Sequence, residues 1–537
     1  MPEFLRRNWL PLAVLSLALA LRLWILDVRP PHFDEGVNGG FADLIQRNGA
    51  YRYDPTRFHG PLHFYVLFLS KCLFGRNLWA LRGPTVLVGV ITVALLLFPL
   101  RRFFSATTCL IAGLAMAVSP AFVYYQRDAI HESWLVLFMV MAFLGWLGLW
   151  QRRARADLWM LTAGVTGMVL TKETYAIHLG CALLVWPCAR LWSEVFPSFD
   201  PPVDKRQSLD WRDVVFAIGC GVAVIVFFYS ATLFHPEDLR GLFETFAAWW
   251  RTGVADKGHI KPWYYWLKVL VRYEWFMVFG VVAAFRFVLA DADSRLRGLA
   301  IYALGVLTAY TIISYKTPWC IIAIGWPFLV LGAAWMTEWL EAASFSAARD
   351  RILQLAVGLL VVALCTADGW RAWRLNFVDY TNEREMYAYV QTYESLSNFT
   401  DPLLELARAD PRNYHLRGFI VCDKSYPVPW LLGDFSRVGY YGRKKRKPDP
   451  VPAGTPDFML VTEDRVAEME SRLDEPFFKE MVQIFPGSPD AYAYFRASVF
   501  SKLMHGRTPE FVPGMESAPA SADAMDEDTD SDDDNDR

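Results

Sequence analysis

Apolar residues run almost uninterrupted through the first 367 positions, near 9–26, 83–100, 106–124, 133–150, 158–171, 174–191, 213–234, 270–289, 298–314, 319–337 and 352–367. Runs of about 18 residues match a bilayer core of roughly 30 Å at 1.5 Å per helical residue. The pattern therefore predicts about eleven membrane-spanning helices over 1–367, with 27–82 as a long first loop. Leu62–Phe74 is too short to span, holds Lys71, and reads as an interfacial or re-entrant helix. After Asp368 short β-like runs (Gly418–Cys422, Asp457–Val461, Met481–Phe485) alternate with helical ones such as Glu463–Leu473. That change predicts a small C-terminal α/β soluble domain over 368–506. Residues 507–537 are rich in Pro, Ser, Ala and acid and predict a disordered tail.

Charge fixes the expected orientation. With eleven spans and an inside N-terminus, the short inside segments hold Arg6/Arg7, Arg101/Arg102, Arg152/Arg153/Arg155, Lys205/Arg206, Arg295/Arg297 and Arg349/Arg351, as the positive-inside rule requires. The outside segments are then 27–82, 125–132, 171–173, 235–269, 314–318 and everything after 367. Residues 1–20 also fit a signal peptide, but apolar character resumes at Leu23–Leu26 beyond Arg22, which favours a retained span. A hydrophobic content of 54% with 20% charge excludes a disordered chain and a simple soluble enzyme. Glu516–Arg537 carries ten acids and one base, so the remainder holds a formal +6 against the overall −3. Eight cysteines, without a CxxC pair, indicate neither a disulfide framework nor a zinc site. Within the spans, His178 is the clearest ionisable group; charge gathers instead at one set of span ends, which suits a surface site better than a transport pathway.

The outside loops carry the candidate chemistry. His32-Phe-Asp-Glu35 opens the first loop, and adjacent carboxylates there can act as general base or metal ligands, or simply solvate a helix end. Tyr51-Arg-Tyr-Asp-Pro55 and Phe58-His-Gly-Pro-Leu62 follow in the same loop. Arg127, Lys172 and Lys316 come from three separate loops and can grip a phosphate, with interface anchoring as the alternative for Arg127. With Asp34 and Glu35 as catalytic carboxylates, they describe an anion-binding cleft with a base, as a lipid-phosphate donor requires. His59, Tyr125, His131, Glu132 and Glu173 are the candidate substrate contacts. Trp249, Trp250, Trp263, Tyr264, Tyr265 and Trp266 can stack on sugar faces; an aromatic interface belt explains them equally well. Arg443–Lys447 is a basic run in a Gly- and Pro-rich loop, and Asn398-Phe-Thr400 fits a glycosylation triplet at chance frequency.

These residues, in this order, resemble the GT-C superfamily of polyprenyl-phosphate-sugar glycosyltransferases, which includes protein O-mannosyltransferases and the lipid A aminoarabinose transferase. Tyr53-Asp-Pro55, His59-Gly-Pro-Leu62, Tyr315-Lys-Thr-Pro-Trp319, Tyr426-Pro-Val-Pro-Trp430 and Val438-Gly-Tyr440 look more narrowly like a prokaryotic subfamily labelled flippase-activity-associated in archaeal N-glycosylation. The likeness runs over roughly 9–500. It implies Asp34 as catalytic base with Glu35 as support or metal ligand, and inverting transfer of a sugar from a polyprenyl-phosphate donor to an acceptor hydroxyl on a protein, lipid or glycan. It implies a prokaryotic inner-membrane protein with a cytoplasmic N-terminus, an outer-face active site, and no nucleic-acid partner. His59 stands where aminoarabinose relatives have a lysine, which leaves donor contacts there open. No Asp-x-Asp motif is present, so a divalent ion (Mg or Mn) falls to His32, Asp34, Glu35 or Glu173. The rival expectations are a lipid-linked-oligosaccharide flippase or its accessory, and a non-catalytic envelope scaffold.

Overall fold

The computed structural model describes residues 3–57, 59–200, 209–255, 259–342, 348–444 and 447–514. Phe58, Lys205, Arg206, the side chains of the basic run and the acidic tail from Met515 on lie outside the described residues. The helices of the first part are Glu3–Leu23 (α1), Phe33–Asn48 (α2), Leu62–Phe74 (α3), Leu78–Leu97 (α4), Ala106–Val118 (α5), Pro120–Tyr125 (α6), His131–Gln151 (α7), Arg155–Thr171 (α8) and Tyr175–Trp192 (α9). Then come Trp211–Tyr229 (α10), Gly241–Ala255 (α11), Tyr265–Tyr273 (α12), Trp275–Leu289 (α13), Ser294–Ile312 (α14), Ile321–Ala342 (α15) and Ala348–Phe377 (α16). Nine of the eleven predicted spans fall on one helix each; 106–124 is divided between α5 and α6 at Ser119, and 270–289 between the end of α12 and α13 at Glu274. Five stretches, Leu78–Arg102, His131–Gln151, Trp211–Tyr229, Pro318–Glu341 and Ala348–Phe377, are long and apolar enough by themselves to cross a membrane. The chain is a multi-pass membrane protein, and α3 covers the predicted short helix, residue for residue.

Local chemistry sets several helix ends. The Asn77 side chain accepts from Ala80 N (2.8 Å) to start α4, and Ser105 does the same for α5 through Thr108 N (3.3 Å). At α13 the Asp368 carboxylate accepts from Trp275 N and Phe276 N, both at 3.0 Å. Without lipid-excluded water to drive association, helices in a bilayer gain by close backbone approach. α7 and α8 show this: a Cβ on Gly145 would collide with the Leu161 backbone, and one on Gly164 with Ala142. The main apolar core joins α1, α4–α9 and α12–α16, with α15 enclosed at its centre.

By contacts the chain forms two compact units, Met1–Glu394 with Tyr426–Asp434, and Ser395–Ser425 with Phe435–Arg537. The first unit thus runs on past 367. The second contains helix Leu396–Ala409 and a five-stranded mixed sheet ordered Arg437–Tyr440, Arg417–Val421, Phe458–Thr462, Ala491–Arg496, Phe477–Val482. The first three strands are parallel; Ala491–Arg496 runs antiparallel to both of its neighbours. The expected strand Met481–Phe485 lies earlier, at Phe477–Val482, and Phe511 pairs in both directions with Phe477 (2.9 and 3.0 Å). Residues 507–514 are therefore not tail but part of this unit. Asn398 is exposed and donates to Glu480 (2.8 Å), while Phe399 and Thr400 of the triplet are buried.

Candidate active site

The site grows from the N-terminus of α2. The His32 ring caps the helix, its Nδ1 accepting from Asp34 N (3.0 Å), while Glu35 Oε2 accepts from His32 N (2.9 Å). This reciprocal capping box satisfies two otherwise orphan donors. Glu35 is then consumed completely. Arg82 donates to Oε1 (2.9 Å) and Oε2 (2.7 Å), Ala129 N donates to Oε1 (2.8 Å), and neither Glu35 nor Arg82 is exposed. Burial alone would raise the Glu35 carboxyl, but the Arg82 guanidinium holds it at about 2. Asp34, one residue earlier, points elsewhere: it is partly exposed, and among the described residues its carboxylate has no hydrogen-bond or ionic partner. Two adjacent acids thus have different work, Glu35 fastening the helix and Asp34 presenting a free carboxylate.

The expected metal set does not fit. His32 Nδ1 already accepts from the backbone, and Nε2, which therefore carries the ring proton, meets the Tyr389 carbonyl at 2.9 Å. With Glu35 saturated, only Asp34 of His32, Asp34 and Glu35 has oxygens to spare, and Glu173 is paired with His59 (3.1 Å). Among the described residues no group of three or more potential ligands is arranged to hold an ion. A single carboxylate is too few for a divalent-cation site.

The three expected phosphate-binding cations do not form one clamp. Arg127 donates to the carbonyls of Leu21 (3.0 Å), Arg22 (3.2 Å), Trp24 (2.8 Å) and Ile25 (2.9 Å) and lies over the Phe377 ring at 4.8 Å. It closes the C-terminal end of α1, where carbonyls lack helical partners, and its neighbour Asp128 pairs with Arg29. Burial, then repulsion from Arg29, pulls its guanidinium down to about 9. Lys172 is buried in an ion pair with Glu132; burial opposes its charge, but Glu132 raises it well above the usual range. Lys316 donates to the Ile313 carbonyl. Tyr125 is buried, its hydroxyl donating to Tyr387 O (3.4 Å).

The other expected contacts assemble as a second cluster. His59 Nδ1 lies 3.1 Å from Glu173 Oε2, and the His59 and His63 rings sit 4.5 and 4.6 Å from that of His131. Glu132 also faces Cys320 Sγ at 4.0 Å. Burial raises Glu173, but His59 and then Lys172 lower it more, leaving it below the usual carboxylate range.

Several residues escaped the sequence reading. Tyr389 OH meets His259 Nδ1 at 3.0 Å, Lys261 Nζ lies over the Tyr389 ring at 5.2 Å, and Trp319 packs on both His32 (5.9 Å) and Tyr389 (6.2 Å). Lys261 N donates to Ser314 O (3.0 Å) and Lys316 N to His259 O (2.9 Å). In this short antiparallel bridge Ile260 pairs with Tyr315, so Lys261 stands opposite Ser314 and Lys316 opposite His259; Lys261 has no carboxylate partner among the described residues. The signal available was His259-Ile-Lys261, a polar pair opening the aromatic run. Within that run, Trp266 is core, donating to Tyr310 O (2.9 Å), whereas Trp250 and Trp263 are exposed.

Among the helices lies an apolar cavity of about 250 Å³, between α7, α8, α9, α14 and α15. Phe143, Trp146, Met168 and Trp326 line it, together with His178, which is held by Tyr302 OH (3.0 Å) and Tyr310 OH (3.3 Å).

The dolichyl-phosphate-mannose-protein mannosyltransferase family matches residues 58–197, the stretch from the His-Gly-Pro-Leu turn through α9. No curated protein matches the chain by sequence. The structure resembles ArnT from Cupriavidus metallidurans bound to undecaprenyl phosphate, with a TM-score of 0.62 at 16% identity, over 92% of this chain and 99% of that one. The apo state of that protein gives 0.61 at 15% over the same shares. The Archaeoglobus fulgidus oligosaccharyltransferase tethered with an acceptor peptide reaches 0.49 at 12%, over 93% and 75%, too remote to carry weight. The family match covers residues 58–197, and the likeness to ArnT extends a shared fold over nearly the whole chain. None of these matches reaches the narrower archaeal subfamily.

Proposed function

We propose that the protein moves a sugar from a polyprenyl-phosphate donor to an acceptor hydroxyl on the outer face of a prokaryotic cell membrane, with its N-terminus cytoplasmic. The observation that carries this reading is the free carboxylate of Asp34 beside a fully consumed Glu35. Asp34 would take the proton of the acceptor hydroxyl as it attacks the sugar from the face opposite the phosphate, so that a single displacement inverts the anomeric centre. The departing lipid phosphate gathers negative charge, and Lys261 and Lys316 would be the cations that meet it. Support for a lipid-linked donor comes from the undecaprenyl phosphate bound to the Cupriavidus ArnT and from the apolar cavity, whose lining suits an isoprenoid chain. The acceptor class stays open among protein, lipid and glycan.

The test replaces the base without changing its shape. Asp34→Asn in purified protein should lower turnover of a polyprenyl-phosphate sugar by about 10²–10⁴-fold, with donor affinity and thermal stability retained. Turnover equal to wild type would remove Asp34 from the chemistry.

A further inference from the structure

The motif Tyr426-Pro-Val-Pro-Trp430 has no part in the chemistry above, and its location is unexpected. It belongs by contacts to the first unit, although both its ends lead in sequence into the second. It lies against α2, the helix that carries Asp34. A Cβ on Gly39 would overlap the Trp430 indole, one on Gly36 would stand 2.6 Å from Pro427 Cα, and one on Gly40 3.5 Å from Tyr426 OH. Tyr426 also packs edge-on against Phe33, the residue before Asp34, at 5.7 Å. Trp430 is buried with Ala42, Leu67, Leu81 and Ala129.

Polar contacts fix the same segment. Arg76 donates to the Trp430 carbonyl (2.8 Å), to Asp43 of α2 (2.9 and 3.0 Å) and to Asp434 (2.9 Å). Lys71 pairs with the same Asp43. Three glycines in a 16-residue helix each weaken it by about 1 kcal/mol relative to alanine, and this is the face on which the segment rests.

We propose that Tyr426–Asp434 is a strap whose Pro427 and Trp430 seat in the glycine notch of α2 and so set the position of Asp34. Trp430 is then a positioning residue, which rests on the reading of Asp34 as base. A base displaced by about 1 Å loses much of its advantage while donor binding elsewhere is untouched.

Full-length protein in lipid nanodiscs tests this by two readouts, amide exchange across 33–48 and steady-state transfer. Trp430→Ala and Gly39→Ala should each speed exchange in α2 and lower kcat about tenfold or more with donor KM within about twofold. Trp430→Phe should stay near wild type. Adding Trp430→Leu to Gly39→Ala makes room for the new methyl and should recover activity lost in the single variant. Unchanged exchange in both single variants would overturn the strap. Faster exchange with unchanged kcat would overturn its positioning role. Should wild type show no transfer at all, the assignment of Asp34 as base fails, while the exchange data still decide whether the strap holds α2.

Discussion

Arg127 and Lys261 show how similar charges divide into different roles. The Arg127 guanidinium is saturated by four carbonyls at the end of α1; Lys261 has an aromatic neighbour and no acid among the described residues. Removing Arg127 leaves buried carbonyls unpaired, which costs about 1–3 kcal/mol. Arg127→Ala should therefore lower thermal stability and leave the donor affinity of the folded fraction unchanged. Lys261→Ala should do the reverse, weakening polyprenyl-phosphate binding by about tenfold or more, the worth of one charge-assisted contact. Donor binding measured by fluorescence quenching or calorimetry on both variants checks the pair; equal losses of affinity would restore Arg127 as a phosphate ligand. The sequence shows that cations stand at these loops, but not which are free, because backbone carbonyls as partners leave no trace in it.

α2 is the element on which the account turns, and the sequence hid it. Phe33–Asn48 holds three glycines and few strong helix formers, so local propensity argues against a helix; capping by His32 and Glu35, the strap and the Arg82 ion pair supply what propensity lacks. Long apolar helices were legible because a bilayer demands runs of that length. In the second unit, Ala491–Arg496 was missed because both its faces are largely buried and its alternation is of size rather than polarity. The Glu35–Arg82 pair ties α2 to α4, and Arg82 also holds Leu26 O (2.8 Å), Arg29 O (2.9 Å) and Pro30 O (3.1 Å). Breaking a buried pair by removing one partner costs about 3–5 kcal/mol, so Arg82→Met should destabilise the protein by that order. Because the Glu35 carboxyl is held at about 2 in the fold against an ordinary 4.5, its stabilisation is complete above about pH 4.5 and is lost as pH falls toward 2. Acid unfolding followed by tryptophan fluorescence should show this slope in wild type and not in Arg82→Met; identical acid profiles would contradict the pairing.

Among the described residues of the first unit, the Glu35–Arg82, Lys172–Glu132 and His59–Glu173 pairs gather near α2, while the lining between α7, α8, α9, α14 and α15 is apolar apart from His178 and Tyr302. That division suits chemistry at a membrane surface on a lipid-anchored donor. It does not suit a pathway for a sugar headgroup through the bilayer, which requires polar groups at depth. The most direct measurement gives purified wild-type protein, in proteoliposomes, a polyprenyl-phosphate sugar labelled in the sugar, and scores bond cleavage and leaflet exchange separately. The sugar–phosphate bond should be cleaved, with the released or transferred sugar inverted at its anomeric carbon. Movement of intact donor between leaflets without any cleavage would contradict it.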